Sequence, residues 1–184
     1  LPLLLISLIL LGLFGIRPSN VDATFYLLRH AEKQSDGTKD PHLTEQGRQR
    51  AEFLAQQLSL ANITKIYSSD YHRTQETAKP LSDLYGISVE SYNPKELEAF
   101  AQNLKTETGN IVVVGHSNTT PTLAALLSGQ EVDAIDESEY ENLYQLTLID
   151  GKARLTRFKI FPIGSSGLVE AKLKLIDSTN SKTE

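Results

Sequence analysis

Phe25-Tyr26-Leu27-Leu28-Arg29-His30-Ala31-Glu32-Lys33 runs from four apolar or aromatic residues straight into an arginine and a histidine. A short continuous apolar run of this kind reads as a strand buried on both faces, the usual state of a strand in a parallel sheet. A strand over 24–28 therefore delivers Arg29 and His30 to a sheet edge. In open α/β sheets the carboxyl ends of strands are where ligands bind.

Two further strand ends have the same character. Ile111-Val112-Val113-Val114-Gly115-His116-Ser117-Asn118 is again an apolar run that stops at a histidine, here followed by a helix-opening Thr119-Thr120-Pro121. Between the two lies Tyr67-Ser68-Ser69-Asp70-Tyr71-His72-Arg73-Thr74, which puts Arg73 one turn into a helix. Across the rest of the chain, β-branched and aromatic runs at 24–28, 65–68, 88–91, 110–115, 143–149 and 153–158 alternate with amphipathic stretches. Thr44 is suited to cap the first helix, Asp70 the second with Gly86 as its stop, and Pro94 to open the third. Asp150-Gly151 is a hairpin pair, so the last two strands form an antiparallel edge. The pattern predicts an α/β fold: a three-layer structure with a mostly parallel central sheet and helices on both faces.

The length of 184 residues suits one domain, expected over 24–160. Residues 1–16 are apolar except for Pro2, Ser7 and two glycines, too short for a spanning helix and suited to a signal-peptide core. With the small-residue site Val21-Asp22-Ala23, residues 1–23 read as a signal peptide or, uncleaved, an N-terminal anchor through which residues 1–16 associate with a membrane. The expected location is outside the cytoplasmic membrane, periplasmic or extracellular. Residues 161–184 read as a polar tail. A net charge of -5, from 18 Lys+Arg against 23 Asp+Glu, offers no basic face for a nucleic-acid backbone. The absence of cysteine excludes disulfides and thiolate chemistry.

Two arginines and two imidazoles at strand ends suit a phosphoryl group. The guanidinium fork matches phosphoryl oxygens and stays charged. A neutral imidazole can attack phosphorus and hold the group as a phosphoramidate until water releases it. Helix amides after His116 add donors aimed at the same charge. These residues, with Leu43-Thr44-Glu45-Gln46-Gly47 before Ala51, Ser68-Ser69 with Arg73-Thr74 and Thr77-Ala78, and Gly115-His116, occur in one order along 25–158. In that order they resemble the histidine phosphatase superfamily, the phosphoglycerate-mutase-like group, and among its members the small exported phosphatases.

The resemblance implies a phosphoglycerate-mutase-like fold and a metal-independent phosphatase without cofactor. It makes His30 the nucleophile, with Arg29, Arg73 and His116 as its catalytic and phosphoryl-binding partners. Ser117, at the start of the following helix, joins Arg29, Arg73 and His116 as a substrate-binding candidate. The partner expected is a small phosphorylated substrate, a phosphomonoester or phosphoramidate. Ala31 stands where many members have glycine, and the general acid is open among Glu32, Glu96, Glu98 and other residues between Arg73 and His116. Three alternatives stand beside this: a noncatalytic phosphate-binding module, a mutase, and a serine hydrolase with Ser117 in a Gly115-His116-Ser117-Asn118-Thr119 elbow. His42 and His72 read as surface residues, no two histidines fall at metal-ligand spacing, and the acidic stretch 131–141 reads as a surface connection.

Overall fold

The computed structural model describes residues 21–161. The chain runs β1 (Val21–Arg29), α1 (Glu45–Gln57), β2 (Ile63–Ser69), α2 (His72–Tyr85), β3 (Val89–Tyr92), α3 (Leu97–Leu104), β4 (Gly109–Gly115), α4 (Thr119–Ser128), β5 (Asn142–Ile149) and β6 (Lys152–Lys159). One six-stranded sheet has the order β3-β2-β4-β1-β5-β6. β1, β2, β3 and β4 are mutually parallel, whereas β5 runs antiparallel to β1 and to β6. The signal-peptide segment falls outside the described residues up to residue 20, as does the tail beyond residue 161. β1 begins at Val21, so a chain starting at Thr24 would lack its first three residues, including Ala23, which is buried and pairs with Gly109. Among the described residues no helix is long and apolar enough to cross a membrane.

Alternation along the strands makes the three layers. Phe25 and Leu27 of β1, with Ile111 and Val113 of β4, face α3 and α4 through Ala101, Leu104, Leu123 and Leu127. Leu28, Val112 and Val114 face the other way, onto Leu54 of α1 and Ala78 and Leu81 of α2. Because both faces are covered, β1 and β4 read as unbroken apolar runs. Burying a leucine as fully as Leu27 contributes about 2 kcal/mol.

Local chemistry sets the ends. Thr44 caps α1 by accepting from the Gly47 amide, and Gly86 ends α2 in the left-handed region. Asp150 and Gly151 both have positive φ, 49° and 72°, the requirement of a tight two-residue hairpin. Two expected starts differ. α2 is preceded by Tyr71 without a side-chain cap, because the Asp70 carboxylate accepts from the side-chain Nε2 of Gln75 instead. α3 begins at Leu97, since the Asn93 side chain accepts from the Lys95 amide and its carbonyl from the Glu96 amide, a turn that takes up Pro94 first.

Candidate active site

The register of β1 on β4 builds the site. Arg29 pairs with Gly115, and the amide of His30 donates to the Gly115 carbonyl at 2.9 Å, so the residues that end the two strands emerge side by side. The rings of His30 and His116 lie 5.5 Å apart, edge to face at 67°. Gly115 has no room for a side chain: a Cβ there would stand 2.8 Å from Thr119 Oγ1 and 2.9 Å from the Tyr92 hydroxyl.

His30 is 3% exposed. Its Nδ1 lies 2.7 Å from the carbonyl oxygen of Ala31, a contact that an imidazole makes by donating, which puts the proton on Nδ1 and the lone pair on Nε2. Burial, against that carbonyl and with the charges of Arg29 and Arg73 and the neighbouring His116, pushes its pKa down to about 3. It is therefore a neutral imidazole at ordinary pH. His116 is lowered to about 4 by burial and by Arg73 and Arg29, with Glu137 and Asp40 opposing. Its Nε2 lies 2.9 Å from Ser69 Oγ, which in turn donates to Thr74 Oγ1.

The two arginines are placed differently. Arg73, on the first turn of α2, lines a cavity of about 350 Å³ together with His30, His116, Ser117, Lys33 and Lys95. Its guanidinium sits 4.4 Å from the Tyr71 ring centre, NH1 reaches Asp40 at 3.3 Å, and its buried Nε has no partner. Arg29 is 1% exposed and wrapped by the loop between α4 and β5. Its NH1 donates to the carbonyls of Asp136, Glu137 and Glu139, its NH2 to Glu137 Oε2 at 2.7 Å, and its face lies 4.2 Å from the Tyr140 ring centre. Arg29 Nε, like that of Arg73, is buried without a partner. Arg73, beside the neutral imidazole of His30 on the cavity wall, carries an orphaned donor that an oxyanion would satisfy, whereas Arg29 does not line the cavity.

The acidic stretch is thus more than a surface connection. Glu137 enters the same cavity, hydrogen-bonded to Arg29 and to the Ser117 hydroxyl, which together hold its carboxyl below the usual range. Only the antiparallel return into β5, beside β1, carries this loop past Arg29, and no local sequence signal shows that. The expected acids lie elsewhere. Glu32 is turned onto α1, where Arg50 grips it at 2.7 to 2.9 Å, and neither Glu96 nor Glu98 lines the cavity.

The serine elbow is not formed. Its nucleophile requires a strained turn, but among the described residues only Asn62 and Asp150 are non-glycine residues with positive φ, and Ser117 bonds a carboxylate rather than an imidazole. His42 and His72 are exposed, as expected, yet stack on each other with ring centres 4.3 Å apart.

Comparison with known proteins bears on the fold and on residues 25–93. Residues 25–93 match the histidine phosphatase superfamily (branch 1). A 70-residue stretch is 40% identical to the probable phosphoglycerate mutase GpmB of Yersinia pestis and of Yersinia pseudotuberculosis, covering 35% of this chain and 33% of theirs. The matched stretch thus spans a third of the length of these curated relatives. Among solved structures, the protein histidine phosphatase SixA complexed with tungstate superposes with a TM-score of 0.61 at 20% identity, covering 74% of this chain and 96% of that one. Mycobacterial hydrolase 2 gives 0.64 at 17% identity, over 85% and 98% of the two chains. A mycobacterial glucosyl-3-phosphoglycerate phosphatase gives 0.59 at 18%, over 76% and 99%. The fold is shared across these structures, and the segment similar to the histidine phosphatase superfamily contains Arg29 and His30 where β1 ends and Arg73 on the first turn of α2.

Proposed function

We propose that this protein is a phosphatase that hydrolyses phosphomonoesters or phosphoramidates in two steps through a phosphorylated His30. The observation that carries the reading is the Nδ1 contact of His30 with the Ala31 carbonyl, which leaves a buried, neutral Nε2 lone pair beside Arg73 and His116. In the first step Nε2 bonds to phosphorus while the bond to the leaving group breaks and its electron pair departs with the leaving group. In the second, water attacks phosphorus, the N–P bond breaks, and the pair returns to Nε2. Arg29, Arg73 and His116 stabilise the charge on the transferring oxygens, and the amides at the start of α4 add to them. Ser117 contributes its hydroxyl to the same oxygens once it leaves Glu137.

Glu137, held ionised, takes the proton of the attacking water in the second step. Among the described residues the carboxyl lining the cavity is Glu137, and it is held ionised, so substrates whose leaving groups depart readily, phosphoramidates among them, suit the site best. The reaction as drawn uses no metal ion or cofactor. A mutase is disfavoured because water as acceptor needs no second phosphorylated ligand. The apolar residues 1–16 support placing the enzyme outside the cytoplasmic membrane, and N-terminal sequencing of the secreted fraction tests this.

The decisive experiment is rapid quenching with a phosphorus-labelled phosphomonoester and, separately, labelled phosphoramidate. An acid-labile, base-stable phosphoprotein is expected, and His30→Ala should abolish both it and turnover. Full turnover in His30→Ala would overturn the mechanism. Binding without turnover across sugar phosphates, phosphoproteins and nucleotides would reduce the protein to a phosphate-binding module.

A further inference from the structure

The histidine spacing argues against a metal site, but it leaves out a carboxylate that the fold brings in. His72 and Glu76 stand four residues apart at the start of α2 and so share one face of the helix. His42, from the loop ahead of α1, lies against that face. Its ring stacks on His72 at 4.3 Å and 17°, and its Nδ1 is hydrogen-bonded to Glu76 Oε1. One ligand atom from each of His42, His72 and Glu76 lies within 4.8 Å of the other two, and among the described residues no other trio of such side chains gathers this closely.

We propose that His42, His72 and Glu76 bind a zinc-type divalent metal ion at the rim of the active site. In a tetrahedral zinc site with metal–ligand bonds near 2.0–2.2 Å, ligand atoms stand roughly 3.3 Å apart. The three groups must therefore close by about 1 Å or somewhat more, a side-chain adjustment. The imidazoles are free to make it, since His42 and His72 are 55% and 54% exposed. Glu76 is already oriented, because its other oxygen accepts from the Leu43 amide at 2.8 Å. A fourth ligand is within reach: Asp40 Oδ2 lies 3.8 Å from His72 Nε2. Two imidazoles with one or two carboxylates suit zinc, cobalt or nickel rather than magnesium or calcium, which take oxygen shells.

None of these four side chains lines the catalytic cavity, so the ion takes no part in phosphoryl transfer. It braces the loop carrying His42 against α2. The link to the active site runs through Asp40, whose Oδ1 accepts from the His72 amide at 3.0 Å and from Arg73 at 3.3 Å.

The test uses the full chain, freed of metal by chelation and titrated with cobalt(II) chloride and then zinc chloride. One equivalent of cobalt should give the visible absorption of a low-coordinate site, and zinc should bleach it. His42→Gln and His72→Gln should each weaken binding by at least about tenfold, with metal-free unfolding curves unchanged because both side chains are exposed. His30→Ala should bind as the wild type does. The proposal is overturned by absence of saturable binding at one equivalent or by unchanged affinity in both glutamine variants. Loss of binding in His30→Ala would overturn it too, since that places the ion on the catalytic imidazoles.

Discussion

Mild acid should destabilise the wild-type protein through His30 by an amount that a His30→Gln variant does not share. In the folded protein, burial and the charges of Arg29 and Arg73 beside His116 hold His30 down to about 3, against an ordinary value of 6.5. As the pH falls through 6.5, the unfolded chain takes up a proton on this residue and the folded chain does not, so the unfolded state binds more protons and stability falls. The slope approaches about 1.4 kcal/mol per pH unit below 6.5, so acidifying from about pH 7.5 to about 5 costs about 2 kcal/mol through this one group. Well above 6.5 the contribution is complete and flat; well below about 3 nothing further is lost. Urea unfolding of the wild type and of His30→Gln at about pH 7.5 and about pH 5 isolates the effect, because titrations common to both cancel in the comparison. The wild type should lose about 2 kcal/mol more than the variant. Equal losses would mean that His30 is protonated in the folded state, and the neutral nucleophile would go with it. The same low value predicts kcat/KM independent of His30 ionisation down to about pH 5.

Glu137→Gln removes the charge that competes with a phosphoryl group for Arg29, and since that carboxylate is 77% exposed its repulsion is screened to about 1.4 kcal/mol, so inhibition by inorganic phosphate should tighten roughly tenfold. A weaker inhibition would show that Glu137 does not compete for the anion. Ser69→Ala frees the ring of His116 from its anchor at 2.9 Å, and steady-state kinetics should show kcat lowered about tenfold with KM little changed. Gly47→Ala would set a Cβ 2.2 Å from the carbonyl oxygen of Glu32, a backbone collision expected to cost about 3 kcal/mol in urea unfolding. Stability within error of wild type would show that α1 can shift away from the loop after β1.

The apolar run before Arg29 and its counterpart before His116 determined the sheet, because strands covered on both faces must be hydrophobic at every position, and that demand is local. The same runs determined that Arg29, His30 and His116 end at one edge, since parallel strands in register deliver their carboxyl ends together. Helix caps proved less legible where two side chains competed for the same role, as with Asp70, which bonds Gln75 and leaves Tyr71 at the start of α2. What the tertiary structure alone decided is which groups face those residues from distant elements. Glu137 meets Arg29 across 108 positions, Glu76 meets His42 across 34, and Glu32 turns from its neighbour His30 to Arg50. Sequence periodicity records which face of its own element a side chain occupies. The partner it meets depends on how the elements pack, and so only the folded chain assigns the carboxylates of this site.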